Sequence, residues 1–206
     1  MTRVAGIVLA AGASRRLGRP KQLLDWEGEP LVRRVVRRVL GFGLAPVVVV
    51  LGHAADAVRA AVAGLPVSLV VNPAPDRGQA TSVACGLAGL PADVGAALVF
   101  LADQPTVPPS AVAAVLAALT EAEPGTVAVA PFYRGVRANP VGFPRPAWPE
   151  LAELTGDGGV RLFLDAQVAR VRLVPIDADV PFDVDAPEDL AAEATPRPTL
   201  RPTLHK

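Results

Sequence analysis

The apolar positions of this chain fall into two patterns that take turns. Runs with little or no polar interruption occur at Val4–Leu9, Pro46–Leu51, Val67–Val71, Ala96–Leu101 and Thr126–Ala130. Such runs suit strands that are covered on both faces. Between them lie stretches with helical spacing. Leu31, Val32, Val35, Val36, Val39 and Leu40 share one face of a helix opened by Pro30 and running to Phe42. Arg33, Arg34, Arg37 and Arg38 share the other. Further helices are expected at about Ala54–Ala63, Val83–Leu90 and Pro108–Leu119, the last with a capping look at its start. Strand and helix alternating through residue 130 predict an α/β protein with a parallel, doubly wound sheet and right-handed crossovers.

Beyond residue 130 the pattern loosens. Phe132–Pro146 is rich in Gly, Pro and Arg around a short strand at Val141–Phe143. Helices are expected at Ala147–Leu154 and Gly159–Ala166, and a strand-like run at Val168–Ile176. Pro181–Asp185 should return to the sheet, and Pro187–Glu193 should form a last helix. The final residues, 194–206, contain PRPTL and RPTL, are broken by proline and have no apolar face. A disordered tail is expected there. No linker divides the rest, so 1–193 is expected to be one domain.

Composition narrows the function classes. Of the 206 residues, 51% are hydrophobic, ample for a core, and the formal net charge is zero. There is no global basic field for nucleic acid. The four helix arginines, regularly spaced opposite an apolar stripe, read as a solvated helix face rather than a nucleic-acid patch. Cys85 is the only cysteine, which excludes an internal disulfide framework and a Cys-rich metal site. No apolar stretch approaches the length of a membrane span, and the first apolar run has strand length rather than the form of a signal peptide. The expectation is a soluble cytoplasmic protein with no nucleic-acid or membrane partner.

The candidate chemistry begins where the first strand stops. Ala10, Ala11, Gly12, Ala13 and Ser14 are all small, and Arg15, Arg16, Gly18, Arg19 and Lys21 follow. Small residues leave backbone N–H groups open to a ligand, and cations behind them add charge, which is a recipe for holding phosphates. Neither G-x-x-x-x-G-K-[ST] nor G-x-G-x-x-G is present. In an open parallel sheet, ligands bind beyond the carboxyl ends of the strands. That places this loop beside the one holding Asn72, Gly78 and Ser82, beside Asp103, and beside Asp183 and Asp185. Asp103 directly follows a buried run, so its carboxylate stands at the lip of the sheet. Mg²⁺ is commonly held there by one or two carboxylates and by substrate phosphate oxygens. Asp185 could instead cap the helix opened by Pro187. His53, after the second strand, reads as a turn residue with no second histidine near it.

The segment from Leu9 to Lys21 resembles the signature L-A-x-G-x-S-x-R-x-G-x-x-K of the MobA-like nucleotidyltransferases. Leu17 stands where Met is usual. The resemblance continues through Gly78–Ser82, the loop lining the nucleoside site, and through Asp103-Gln104-Pro105, whose aspartate holds Mg²⁺. It continues through DVDAPEDL, which supplies the second acidic ligand as Asp185. RGVRANPVGF, Arg134–Phe143, and LTGDGGVR, Leu154–Arg161, are similar to elements of the molybdopterin cytidylyltransferases, with Ala138 where Gly is common. Leu9-Ala10-Ala11-Gly12 fits the cytidylyl side, since guanylyltransferases tend to carry L-A-G-G.

The resemblance implies a three-layer, Rossmann-like fold and a Mg²⁺-dependent transfer of CMP from CTP, or another NTP, to a phosphorylated acceptor such as molybdopterin. Pyrophosphate would be released, and a molybdoenzyme or its chaperone would be a further partner. Lys21, Arg16 and Asp103 would be catalytic. Leu9, Ala10, Ala11, Gly12, Ser14, Arg15, Gly18, Asn72, Gly78 and Ser82 would join them at the nucleotide. Arg137, Asn139, Gly156, Asp157 and Arg161 would face the acceptor, and Asp103 with Asp185 would hold the metal. No protein nucleophile is called for, since Ser14 and Cys85 have no apparent base. Two alternatives remain: an NAD(P)H-dependent reductase of a small heterocycle on the same fold, and a non-catalytic nucleotide-binding accessory of a molybdoenzyme.

Overall fold

The structure is a computed structural model and describes residues 3–14, 18–156, 158–184 and 189. β1 (Arg3–Ala10) is followed by a small hairpin of β2 (Asp25–Trp26) and β3 (Glu29–Pro30), then α1 (Leu31–Leu40), β4 (Val47–Leu51) and α2 (Ala55–Ala61). Next come β5 (Ser68–Val71), α3 (Gln79–Ala88), β6 (Val94–Leu101) and α4 (Pro109–Thr120). β7 (Ala128–Tyr133), β8 (Val136–Arg137) and β9 (Val141–Pro144) follow, with α5 (Trp148–Ala152), α6 (Gly159–Ala166) and β10 (Val171–Ile176) last.

The main sheet runs β10-β7-β9-β6-β1-β4-β5, with β8 paired to β7. β1 pairs in parallel with both β4 and β6, and β9 is antiparallel to β6 and β7. The sheet is therefore mixed but mostly parallel. Its two faces carry separate cores. Val8, Val49, Leu51, Leu98 and Phe100 meet α1, α2 and α4, while Ile7, Val48, Val50, Ala97 and Val99 meet α3, α5 and α6. Successive strand residues point to opposite faces, so covering both faces requires the uninterrupted apolar runs seen in the sequence. No described helix is long and apolar enough to cross a membrane.

The chain leaves β1 toward β4 on one side and returns through α3 to β6 on the other. This reversal between β1 and β6 opens a crevice at their carboxyl ends. α3 lies close over it because Gly86 has no side chain. A Cβ there would stand 2.7 Å from Ile7 Cγ2 and 3.1 Å from Val50 Cγ2.

The α1 arginines are engaged with protein groups. Arg33 donates to the carbonyls of Ala61 and Ala63, Arg38 donates to Val107 O, and Arg34 and Arg37 pair with Glu27 and Glu29. Three expectations need correction. α3 begins at Gln79 rather than Val83, because Gln79, Thr81 and Ser82, with the buried Ala80 between them, form its first turn. α4 has Pro108 at its N-cap and no side-chain capping bond. Residues 181–184 do not return to the sheet, whose outer strand on that side is β10. Val184 N–H instead donates to Asp103 O at 2.9 Å, so this strap crosses the end of β6 rather than joining a ladder. Phe182 and Val184 pack with Leu24, Trp26 and Leu31, the Trp26 and Phe182 rings 6.0 Å apart. The expected helix at Pro187–Glu193 and the disordered tail at 194–206 lie outside the described residues, except Asp189.

Gly86→Val should destabilise the fold by about 1–3 kcal/mol through overpacking against Ile7 and Val50. Urea unfolding measures this, and an unchanged midpoint would mean that α3 does not need so close an approach.

Candidate active site

The loop after β1 is held by a side chain that looks unremarkable in the sequence. Gln22 is only 3% exposed. Its Nε2 donates to Gly12 O at 2.8 Å and to Ala10 O at 3.3 Å, and its Oε1 accepts from Ser14 Oγ at 3.3 Å. Ser14 Oγ in turn accepts from Lys21 N–H at 2.9 Å. Ser14 adopts a left-handed φ of 50°, which turns the chain back. The carbonyls of Ala10 and Gly12 are thus satisfied by Gln22 and that of Ala11 by His53 N–H, and Ala11, Gly12, Ala13 and Ser14 line a cleft. Gly52, at the end of β4, allows the loop to sit down. A Cβ there would fall 2.5 Å from Ala11 O and 2.7 Å from Ala11 Cα. Gln22 stands at the head of a short, mostly apolar stretch, Leu23, Leu24 and Trp26. A lone amide entering such a stretch was the available signal of a buried brace.

The second wall comes from the turn between β5 and α3. Asn72 is buried and its amide is used within that turn. Nδ2 donates to Thr81 Oγ1 at 2.9 Å and Ser82 Oγ at 3.0 Å, and Oδ1 accepts from Ala74 N–H at 2.9 Å. Gly78 has φ 100°, a conformation suited to glycine, and α3 starts immediately after it. Gly156 extends this wall, since its N–H donates to Arg77 O at 2.7 Å. His53 Nε2 lies 3.3 Å from Asp76 Oδ1, and both residues line the cleft.

The third wall is the end of β6. Asp103 extends from it and forms an ion pair with Lys21 Nζ. Their side chains are 14% and 22% exposed, so both charges are largely withdrawn from water. Removing either partner leaves the other poorly compensated. The cleft among these walls has a volume of about 370 Å³.

Of the nucleotide residues expected from the sequence, Leu9, Ala11, Gly12, Ser14, Lys21, Ser82 and Asp103 line this cleft. Ala10 faces the core, where it contributes its carbonyl to Gln22, and Gly18 lies at an exposed turn with φ 63°. Asn72 and Gly78 shape the second wall from behind. Gln79, within the Gly78–Ser82 loop that the resemblance set at the nucleoside, lines the cleft too, and so do His53 and Asp76, to which the sequence reading assigned no binding role. Of the expected acceptor residues, the described ones, Arg137, Asn139, Gly156 and Arg161, do not line it. Arg137 pairs with Asp165 at 2.6 Å, Arg161 is exposed on α6, and Asn139 donates through Nδ2 to Gln104 Oε1 at 3.0 Å. Arg15, Arg16, Asp157 and Asp185 lie outside the described residues.

Among the described residues no group of three or more His, Cys, Asp or Glu could hold a metal by itself. Asp103 is a single hard oxygen donor at a lip where phosphate oxygens could complete a coordination shell. That donor set suits Mg²⁺ or Mn²⁺ bound together with a substrate.

The MobA-like NTP transferase domain family matches residues 6–171. The chain is 34% identical over 197 residues to the nicotine blue oxidoreductase of Paenarthrobacter nicotinovorans, a match covering 91% of this chain and 94% of that protein. Among solved structures it is similar to the Rv0371c homologue of Mycobacterium sp. strain JC1. The identity is 34% and the TM-score 0.82, with 93% of this chain and 97% of that one covered. The manganese complex of Mycobacterium tuberculosis Rv0371c matches with 32% identity and a TM-score of 0.76, over 92% of this chain and 97% of that one.

Gln22→Met keeps the volume and removes the amide. It should cost about 1–3 kcal/mol by stranding buried carbonyls, read by urea unfolding, and should weaken nucleotide binding measured by calorimetry. Wild-type values for both would remove Gln22 as the brace.

Proposed function

The chain belongs to the MobA-like NTP transferase family, and from that premise we propose that it transfers CMP from CTP to a phosphorylated acceptor, molybdopterin foremost, releasing pyrophosphate. The observation that carries this reading is the meeting of Lys21 and Asp103 above a braced loop of small residues, at the reversal between β1 and β6. A terminal phosphate oxygen of the acceptor attacks the α-phosphorus of CTP. The bond to the bridging oxygen breaks, and its electron pair leaves on pyrophosphate. No protein nucleophile is required, so the protein contributes position and charge.

Lys21 exchanges its carboxylate partner for β- and γ-phosphate oxygens and offsets the charge of the leaving pyrophosphate. Arg16 assists it, and N–H groups of the loop from Ala11 to Ser14 hold the same oxygens. Asp103, with Asp185, would hold Mg²⁺, which offsets charge on the phosphate oxygens when bound. Ala11, Gly78 and Ser82 frame the cytosine and ribose, and the presence of Ala11 rather than Gly supports CTP over GTP. Arg137, Asn139, Gly156, Asp157 and Arg161 serve the acceptor side. A molybdoenzyme or its chaperone would receive the product, in the cytoplasm.

A second reading is supported by the nearly full-length likeness to a protein named an oxidoreductase. On that reading the same cleft takes NAD(P)H and reduces a small heterocycle. The missing dinucleotide fingerprint weighs against it.

Asp103→Asn should lower CMP transfer at least about 10²-fold while circular dichroism stays that of the wild type. Retained transfer with lost stability would make Asp103 purely structural. Lys21→Ala should lower the rate by about 10²-fold even at saturating CTP and Mg²⁺, and an unchanged saturated rate would take Lys21 out of the mechanism. NADPH and NADH should neither displace CTP nor be oxidised with heterocyclic acceptors. Oxidation that Lys21→Ala abolishes would favour the second reading.

A further inference from the structure

Gln104 follows Asp103 at the end of β6, is 6% exposed, and has no part in the mechanism above. Its amide joins two segments far apart in sequence. Nε2 donates to Asp183 Oδ1 at 2.7 Å, and Oε1 accepts from Asn139 Nδ2 at 3.0 Å. Both partners are themselves fixed. The backbone carbonyl of Asn139 accepts from Tyr133 Oη–H at 2.9 Å, and Tyr133 is fully buried. On the other side, Phe182 and Val184 turn into the small core of Leu24, Trp26 and Leu31. Alternation along the strap then turns Asp183 the opposite way, toward Gln104. The Val184 N–H bond to Asp103 O completes the attachment.

An apolar residue of similar size would fill this space. A buried amide with both ends satisfied does more, because it admits one relative placement of the groups it joins. Those groups are the segment bearing Asn139, the strap lying on the β2–β3 hairpin just past the phosphate loop, and the lip bearing Asp103. We propose that Gln104 is a positioning residue that sets the acceptor wall at Asn139 against the phosphate lip at Asp103. The inference rests on the nucleotidyl-transfer reading, in which Asn139 faces the acceptor. Gln104 does not line the cleft and is not required for holding the nucleotide.

The test uses the full chain with Gln104→Met, which removes both bonds, and Gln104→Glu, which can still accept from Asn139 but cannot donate to Asp183. CTP with Mg²⁺ should bind both variants within about twofold of the wild-type affinity, measured by calorimetry. With molybdopterin as acceptor, its KM should rise and kcat should fall by a combined factor of roughly 10 to 100 in both variants, since Met removes the bonds and Glu sets a second carboxylate against Asp183. Amide exchange should quicken together at 138–141 and 182–184 and stay unchanged at 9–14. A parallel loss of CTP affinity and turnover, unchanged kinetics in both variants, or unchanged exchange at either segment would overturn the proposal. Should the wild type bind CTP but release no pyrophosphate with molybdopterin, the functional reading fails instead. The exchange pattern then still decides whether Gln104 ties the two segments.

Discussion

β1 has neighbours on both edges and both faces, so a ligand can reach it only at an end, and the cleft lies at the carboxyl one. That constraint organises the molecule. β4 and β6 flank β1 in parallel, and two separate cores cover the sheet. The chain must therefore turn out of the sheet after Ala10 and can do so only over its edge. The turn is crowded from beneath by Gly52 and from the side by α3, where Gly86 allows the helix to lie close to Ile7. Small residues in the loop are a consequence of this crowding.

Charge at the edge follows from the same arrangement. Lys21 and Asp103 come from loops after different strands, and they meet because β1 and β6 end at the same height. Each compensates the other in a place with little water. A ligand that brings phosphates and a divalent cation can replace both compensations at once, so the pair is held ready without being locked. The buried amide of Gln22 keeps the loop in place during such an exchange, since its bonds go to carbonyls and not to the charged groups.

The layered architecture was legible because burial on both faces leaves a plain mark, an apolar run such as Val47–Leu51. The loop after β1 was legible as a wall of the cleft because small residues followed by cations are rarely needed elsewhere. Asp103 could be placed because a carboxylate after a buried strand can only stand at the lip. Other features were hidden for physical reasons. The first turn of α3 turns Gln79 and Ser82 to the cleft and Thr81 to Asn72, so apolar periodicity misses it. The 181–184 strap has the alternation of a strand, yet it spends that alternation on the β2–β3 hairpin and on Gln104 rather than on a ladder. Gln22 and Gln104 act through amides that bind groups distant in sequence, and spacing carries no trace of such partners. The hairpin of β7 and β8 was also missed, since its turn at Arg134 and Gly135 sits in a stretch already rich in Gly and Arg.

Pyrophosphate release, followed with CTP, GTP and ATP in the presence of Mg²⁺, each with and without molybdopterin, tests nucleotidyl transfer most directly. The account predicts release with CTP that requires molybdopterin, and little with GTP or ATP. No release from any nucleotide, or oxidation of NAD(P)H by the same preparation in its place, would contradict it.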